Sequence, residues 1–272
     1  MEQQAFQSER IEIQDELWAA NDFFEAKGWS DGLPIVPPTE DRVARMLAAT
    51  KRKADEVIGT VPPKWASATV EKIAINAVMA GCKTEYMPVL IAAVEAITDP
   101  KLNLYALQAT TGGPAVMLII NGPVRHQIQV NGGYNALGEG WRANATIGRC
   151  IRLIQRNIGG SYPETTCKAT LGWPGKYSIC IGENEEASPW EPLHVERGFS
   201  RDDSVVTVVG CDAPLSISDH RATTPLDLAY VLGWAGAATW SPNWWPLGGT
   251  SVYVICPEHQ AMFAAAGWGK QR

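Results

Sequence analysis

Four apolar runs, each followed directly by polar or reactive side chains, constrain the fold of this chain more than any other feature. The strongest run is P-A-V-M-L-I-I-N, from Pro114 to Asn121, and the others lead into Glu183–Glu186, Cys211-Asp212 and Cys256–His259. Segments of a dozen or more residues between the runs allow parallel strand pairing, and ligands bind at the carboxyl edge of such sheets. The pattern therefore predicts four strand ends that converge on one site.

Helical patterns lie before and between these runs, so the predicted fold class is α/β. We expect a mixed or mostly parallel sheet flanked by helices, with a helical N-terminal part. Residues 1–66 are predicted to form helices and a Gly/Pro-rich loop that pack on an α/β domain of residues 67–272. A chain of 272 residues is long enough to bury a sizeable core.

Apolar periodicity predicts the individual elements. Predicted helices cover residues 11–27, 40–50, 68–82, 84–97, 147–154 and 224–232. Predicted strands cover residues 102–111, 114–121, 204–209 and 250–255, together with the run that leads into Glu183.

Composition and charge narrow the classes of function. A net charge of -6, with 46% apolar and 19% charged residues, is typical of a globular protein and argues against nucleic-acid binding. No uncharged apolar run approaches the ~18–20 residues of a membrane-spanning helix, so no membrane partner is expected. The N-terminal residues lack the plan of a signal peptide, and the six cysteines include no C-x-x-C pair. We therefore predict a cytoplasmic protein with reduced thiols.

The segment from Lys176 to Phe199 gathers more titratable side chains beside an apolar run than any other part of the chain. The run ends in Glu183, Glu185 and Glu186, and His194 follows shortly after. Neighbouring like charges raise the pKa of one carboxyl, which creates a proton donor beside an ionised base. These four residues are the first candidates for catalysis by acid–base chemistry. The alternative is that the acids pair with basic side chains or face water.

A divalent metal is a candidate cofactor of the same segment. If the chain there is extended, His194 and Glu196 share one face, and so do Glu183 and Glu185. Imidazole and carboxylate groups are ligands of magnesium, manganese, iron and zinc. Because no spacing here is diagnostic, these four residues are candidate ligands for a metal whose identity stays open.

Thiol chemistry is a third possibility. Cys82 lies in a tight corner between two predicted helices, and Glu85 follows three residues later. A thiol at a helix N-terminus can have a lowered pKa, so Cys82 and Glu85 are second candidates for catalysis. His126, His194 or His259 could activate a cysteine. The alternative is that the cysteines are ordinary packing residues.

A glycine-rich stretch from Val130 to Arg149 resembles a ligand-binding loop that leads into a helix. It places free backbone N–H groups near Arg142 and Asn144, which suits a carboxylate or phosphate. The glycine spacing fits neither the P-loop nor the dinucleotide fingerprint, so no nucleotide cofactor is expected. The candidate substrate-binding residues are Asn121, Asn131, Arg142, Asn144, Trp190, Glu196 and Arg197.

Several motifs resemble those of a little-characterised bacterial protein family. They are G-W-S-D-G-L-P-I-V-P-P-T-E, A-G-C-K-T-E-Y-M-P-V, N-G-P, G-W-R-A-N-A-T-I-G-R and G-E-N-E-E-A-S-P-W-E-P-L-H-V-E-R-G-F. The family is associated with the selenoprotein-like group named for a Sec-Gly-Ser-Cys motif, and the resemblance covers most of residues 28–269.

The chain departs from that family in two ways. It contains no Gly-Ser-Cys motif, and family members continue beyond the G-W-G-K at Gly267–Lys270 into further α/β sequence. The resemblance therefore implies a separately encoded partner that supplies a thiol or selenol.

The favoured interpretation is an enzyme of lyase or hydrolase type that acts on a small anionic or carbonyl-containing molecule. The chemistry is acid–base or metal-assisted, at the carboxyl edge of the sheet, in a homo-oligomer or a hetero-oligomer. One alternative is a non-catalytic or half-site subunit of a heteromeric enzyme, with Trp240–Trp245 as an exposed docking surface. Another alternative is a cysteine-based redox protein.

Overall fold

The computed structural model describes residues 6–237 and 251–270. Its helices are α1 Leu17–Ala26, α2 Glu40–Leu47, α3 Val70–Ala80, α4 Met87–Thr98, α5 Leu104–Ala109, α6 Val124–Gln127, α7 Arg142–Asn157, α8 Leu193–Glu196, α9 Pro225–Gly236 and α10 Pro257–Ala265. Its strands are β1 Val57–Val61, β2 Ala66–Thr69, β3 Ala115–Asn121, β4 Cys180–Gly182 and β5 Val205–Cys211. Short 3-10 helices cover Thr84–Tyr86, Pro100–Leu102 and Pro174–Lys176.

The predicted α/β fold class is confirmed, because helices flank a small mixed sheet. The sheet has the order β4-β3-β5, with β3 parallel to β4 and antiparallel to β5. Antiparallel β1 and β2 form a separate hairpin. No helix in the described part of the chain is long and apolar enough to cross a membrane.

The central strand β3 is buried along its whole length, as its apolar sequence predicts. Its side chains alternate between two cores. Leu118 and Ile120 belong to the large core that includes α3, α4 and α7. Met117 and Ile119 belong to a smaller core with Ile181 of β4 on the opposite face of the sheet. Burial on both faces makes β3 the strand around which the sheet is built.

The helix α3 shows how local sequence signals set the boundaries of an element. The Thr69 hydroxyl accepts a hydrogen bond from the Lys72 N–H at the start of α3. Gly81 ends the helix with a φ of 82°, a left-handed conformation that glycine adopts without strain. The predicted helix over residues 68–82 is therefore confirmed, with its end at Gly81.

Other elements differ from the predictions. Residues 104–109 form α5 and no strand, because Asn103 accepts a hydrogen bond from the Ala106 N–H and starts a helical turn. The helix predicted over residues 11–27 begins at Leu17, where Glu16 caps it. The hairpin of β1 and β2 was not predicted, and it spans the predicted boundary at residue 66.

The predicted convergence of four strand ends is wrong for two of them. Because β5 runs antiparallel to β3, Cys211 pairs with Ala115, so Cys211-Asp212 lies at the opposite end of the sheet from Asn121. The strand predicted over residues 250–255 is not observed at residues 251–255, and position 250 lies outside the described residues. Pro257–Ala265 is a helix, α10, with Cys256 at its N-cap. Of the four predicted strand ends, those of β3 and β4 come together in the described part of the chain.

Candidate functional site

The polar side chains at the carboxyl ends of β3 and β4 form one connected group, here called the edge cluster. Its members are Asn121, Arg125, His126, Glu183, Glu185, Glu186 and His194. Parallel pairing of Leu118–Ile120 with Cys180–Gly182 places Asn121 beside the acidic segment. The chain turns at Gly122, with a φ of 79°, and the short helix α6 then brings Arg125 and His126 to the same edge.

The amide of Asn121 connects two of the predicted catalytic carboxylates. Its Nδ2 donates to Glu183 Oε2 at 2.6 Å and to Glu185 Oε1 at 2.9 Å. The backbone N–H of Gly122 also donates to Glu185 Oε1, at 2.8 Å. Asn121 was predicted to bind substrate, and the structure places it fully buried between the two glutamates.

Arg125 is the counter-ion of the edge cluster. Its side chain is 6% exposed, and that of Glu185 is 7% exposed, with 3.0 Å between Nε and Oε1. Its Nη2 lies 2.9 Å from Glu186 Oε1, and its Nη1 donates to the Glu183 carbonyl at 2.8 Å. Burial lowers the pKa of Arg125, but hydrogen bonds and charge from the two carboxylates outweigh burial, so the pKa is raised. The sequence analysis did not single out this residue.

Glu186 and His126 form the solvent-facing part of the edge cluster. His126 Nε2 lies 2.8 Å from Glu186 Oε1, and the two side chains are 66% and 57% exposed. The hydrogen bond from Arg125 has the largest effect on the pKa of Glu186 and lowers it. Burial raises this pKa, and the hydrogen bond with His126 lowers it further, so the pKa falls to about 2. Glu186 is therefore ionised at neutral pH and holds the His126 ring in one orientation.

His194 lies at the buried side of the edge cluster, on α8. It is fully buried, with Nδ1 3.9 Å from Glu185 Oε1 and Nε2 3.4 Å from the Arg201 carbonyl oxygen. Among the described residues, neither His194 Nδ1 nor Asn121 Oδ1 has a hydrogen-bond partner. Buried polar atoms are usually paired, so both atoms remain available for a polar contact beside Glu185.

The predicted metal ligands are arranged differently from the extended-strand prediction. His194 and Glu196 lie on α8, so they do not share a strand face. Lys270 Nζ pairs with Glu196 at 3.1 Å and lies 3.8 Å from Glu183. Within the described ranges, no three His, Cys, Asp or Glu side chains are grouped so that they could hold a metal ion.

Two of the remaining predicted binding residues lie near the edge cluster. Trp190 Nε1 donates to the Trp268 carbonyl at 2.9 Å, and its ring lies 6.2 Å from that of Phe263. Trp190 therefore attaches α10 to the acidic segment. Arg197 follows α8 as its C-cap and is exposed.

Asn131 and Asn144 hold the glycine-rich loop in place. Asn144 accepts from the Asn131 N–H at 2.8 Å and donates to the Asn131 carbonyl at 2.9 Å. The same Asn131 carbonyl accepts from the Gly182 N–H at the end of β4. Both amides bond to backbone groups, so they fix the loop beside the edge cluster.

Arg142 and Cys82 lie together at the end of α3 and in contact with α7. Arg142 donates twice to the Gly81 carbonyl, at 3.0 and 2.9 Å. The Cys82 thiol donates to the Thr146 carbonyl of α7 at 3.2 Å. Glu85 is exposed and bonds instead to the Thr84 hydroxyl, with Lys83 nearby. The predicted Cys82–Glu85 pair is therefore not brought together.

The thiols differ in ways that the sequence analysis missed. Burial raises the pKa of Cys180 to about 12. Burial also raises the pKa of Cys167, but the Ala169 N–H and the charges of Lys176 and Arg152 outweigh it and leave the pKa lowered. No sequence pattern indicates Cys167, because its cationic neighbours approach it only in the folded chain.

No protein-family model, curated protein or solved structure matches this chain.

Proposed function

We propose that the chain is an acid–base enzyme that acts on a small carbonyl-containing molecule at the edge cluster. The observation that carries the proposal is the polar chain His126–Glu186–Arg125–Glu185, which runs from exposed to buried positions through contacts of 2.8, 2.9 and 3.0 Å. His194 lies next to its buried end, with Nδ1 3.9 Å from Glu185 and no hydrogen bond between them. Such a chain holds a solvent-facing histidine beside a fixed carboxylate, which is an arrangement suited to proton transfer.

His126 is the proposed proton-transfer residue. An ionised carboxylate only accepts hydrogen bonds, so in the neutral His126 ring Nε2 carries the proton that faces Glu186, and Nδ1 carries the lone pair. A proton taken up by Nδ1 creates an imidazolium that Glu186 stabilises at 2.8 Å. Arg125 keeps Glu186 ionised, so it acts as a positioning residue.

Local charge favours a carbonyl compound over a polyanion. The edge cluster carries the carboxylates of Glu183, Glu185 and Glu186, which Arg125 and the neighbouring Lys270 only partly balance. A polyanionic substrate would meet like charge here, whereas a neutral ketone or a monoanionic 2-oxo acid would meet little. Lyase chemistry on such a substrate begins with removal of a proton from the carbon next to the carbonyl, which a general base accepts.

The test is exchange of substrate C–H protons with solvent deuterium, followed by NMR. Acetoin and dihydroxyacetone represent neutral carbonyl compounds, and pyruvate represents 2-oxo acids. The variant His126→Gln should lower the exchange rate by about 100-fold or more, because general acid–base catalysis contributes at least that much. The matched control is His220→Gln, at an exposed histidine whose Nε2 lies 3.3 Å from the Ser218 hydroxyl, and it should keep the wild-type rate. Full activity of His126→Gln, or no exchange with any compound, would refute the proposal.

A subunit role is the second candidate, and one observation favours it. The helix α9 buries only Leu228 among its described side chains, and it exposes Leu226, Tyr230 and Trp234 at a spacing of four residues. Such an apolar stripe suits a protein interface. Size-exclusion chromatography with light scattering should then show an oligomer that Trp234→Lys converts to monomer. The Trp240–Trp245 docking surface predicted from sequence lies outside the described residues.

A further inference from the structure

A pocket of about 540 Å³ lies between residues 6–13, the end of α1, the start of α2 and α3. We call it the N-terminal pocket. Its apolar lining includes Phe6, Ile13, Phe23, Trp29, Ile75 and Met79. Sites for small organic ligands typically measure about 300–1,000 Å³ and are lined mainly by apolar side chains. The pocket has that size and that lining, and it shares no residue with the edge cluster.

One wall of the N-terminal pocket is a rigid group of aromatic rings. Phe23 and Phe24 meet at 5.9 Å and 80°, and Trp29 lies 6.2 Å and 5.8 Å from them in edge-to-face geometry. Edge-to-face packing fixes ring orientations and adds to the stability gained by burial. The wall therefore presents a preformed aromatic surface to a ligand.

The opposite wall, residues 6–13, is held by specific polar contacts. The Glu71 carboxylate accepts hydrogen bonds from the N–H groups of Gln7 at 3.0 Å and Ser8 at 2.9 Å. At the rim, Arg10 pairs with Glu40 of α2 at 2.7 Å. These contacts hold residues 6–13, which form no helix or strand, against the apolar face of α3.

Most polar groups of the pocket are already paired, which limits the charge of a ligand. The exceptions include Glu9, which is exposed, and Asn157 Oδ1, which is buried without a hydrogen-bond partner among the described residues. Glu71 bonds to two backbone N–H groups, Lys72 Nζ donates to the Ser67 carbonyl, and Arg10 pairs with Glu40. Asn76 Oδ1 accepts from Asn157 Nδ2 at 2.8 Å. A charged ligand would lose its hydration without gaining a free counter-ion from these groups, so an uncharged ligand is favoured.

We propose that the N-terminal pocket binds an uncharged, mainly apolar molecule of one or two rings, with its flat face against Phe23 and Trp29. Residues 6–13 form one wall of the pocket, which is partly open to solvent. The site is separate from the proposed catalytic edge, so ligand binding there does not depend on the proposed enzymatic activity.

Fluorescence titration with N-phenyl-1-naphthylamine, a neutral two-ring probe, tests the proposal. Wild-type protein should show saturable binding at one site per chain. Ala66 lines the pocket, so Ala66→Trp should fill it and weaken binding at least tenfold. Leu171→Trp adds the same side chain at a fully exposed position and should leave affinity unchanged. Absence of saturable binding, or equal affinity of the two variants in folded protein, would overturn the proposal.

Photolabelling of wild-type protein with benzophenone gives a second test that does not depend on any variant folding. Peptide mapping by mass spectrometry should place the label on residues 6–13, 23–29 or 75–79. Competition with N-phenyl-1-naphthylamine should reduce this labelling. Labels confined to other peptides, such as those that contain α9, would show that the apolar probe binds elsewhere and would overturn the proposal.

Discussion

The edge cluster is closely packed and charged, whereas the N-terminal pocket encloses space and is mainly apolar. At the edge cluster, one buried arginine and one buried amide contact three carboxylates at distances of 2.6–3.2 Å. At the N-terminal pocket, about 540 Å³ of space is lined mainly by apolar side chains. A dense group of titratable residues and a ligand-sized space therefore lie in different parts of this chain.

The difference has a physical origin in desolvation. Buried charges are stable only when they are paired and hydrogen-bonded. The groups around Arg125 and Glu185 therefore pack closely against them. Aliphatic side chains such as Ile75 and Met79 form no hydrogen bonds, so they can line a space without closing it. Five expected results test this difference.

The largest effect is expected from Arg125→Met. Removal of the guanidinium leaves the buried Glu185 carboxylate without its counter-ion, and loss of one partner of a buried pair costs about 3–5 kcal/mol of unfolding free energy. Urea denaturation measures this change. The matched control is Arg52→Met, whose partners Glu56 and Glu95 are well exposed, and it should cost far less because exposed ion pairs contribute little to stability. Equal losses of unfolding free energy in the two variants would show that the buried ion pair of Arg125 contributes no more to stability than an exposed one.

Two glycines with similar backbone conformations allow the packing at the edge cluster to be compared with the packing next to the N-terminal pocket. Gly122 and Gly28 have φ values of 79° and 71°. A Cβ at Gly122 would overlap the Asp203 carbonyl, whereas a Cβ at Gly28, next to the pocket residue Trp29, would meet nothing within 4 Å. Gly122→Ala should therefore cost about 2–4 kcal/mol, the sum of backbone strain and overlap. Gly28→Ala should cost only the strain, about 1 kcal/mol. Thermal unfolding of both variants measures the difference, and a larger cost at Gly28 would contradict it.

Loss of the Glu71 contacts should open one wall of the N-terminal pocket. Glu71 is 2% exposed, and Glu71→Gln leaves one of the two N–H groups without an acceptor, at a cost of about 1–3 kcal/mol. Hydrogen exchange at Gln7 and Ser8 should accelerate in this variant. Exchange should stay unchanged in the control Glu9→Gln, which alters an exposed carboxylate of the same pocket.

Acid should weaken the same wall in the wild-type protein. Burial raises the pKa of Glu71, but the N–H groups of Gln7 and Ser8 outweigh burial and lower it. A lowered pKa in the folded state means that the contribution to stability is present above the unfolded value of about 4.3 and is lost as pH falls through the folded value. A protection factor at Ser8, the observed exchange corrected for the intrinsic pH dependence of amide exchange, that stays constant under acid conditions would contradict this account.

The smallest effect is expected in the titration of Glu186. Its pKa of about 2 predicts that carbon-detected NMR will show an ionised carboxylate throughout the range where exposed glutamates protonate. The contribution of Glu186 to stability is accordingly present above the unfolded value of about 4.3 and is lost progressively as pH falls from there through about 2. In His126→Gln the midpoint should rise slightly, because His126 contributes less to the shift than Arg125 does. A midpoint above about 4 in the wild-type protein would show that Arg125 does not hold this carboxylate.

Local sequence determined the elements with strong signals. The apolar run of β3 and the glycine after α3 specify a buried strand and a helix end through local sterics and periodicity alone. The acidic residues after β4 were also predicted to lie at a carboxyl edge beside Asn121. Parallel pairing of β3 with β4 brings Glu183 and Glu185 into contact with it.

Tertiary structure decided which of these groups meet. The direction of β5 depends on pairing along all seven residues of β3, so no local pattern could show that Cys211-Asp212 lies at the far end. Arg125 became the counter-ion because the turn at Gly122 carries α6 back over the edge. The N-terminal pocket requires segments separated by more than a hundred residues, such as Phe6 and Asn157. Local propensity acts over a few residues, whereas strand direction, counter-ions and cavities depend on contacts between distant segments.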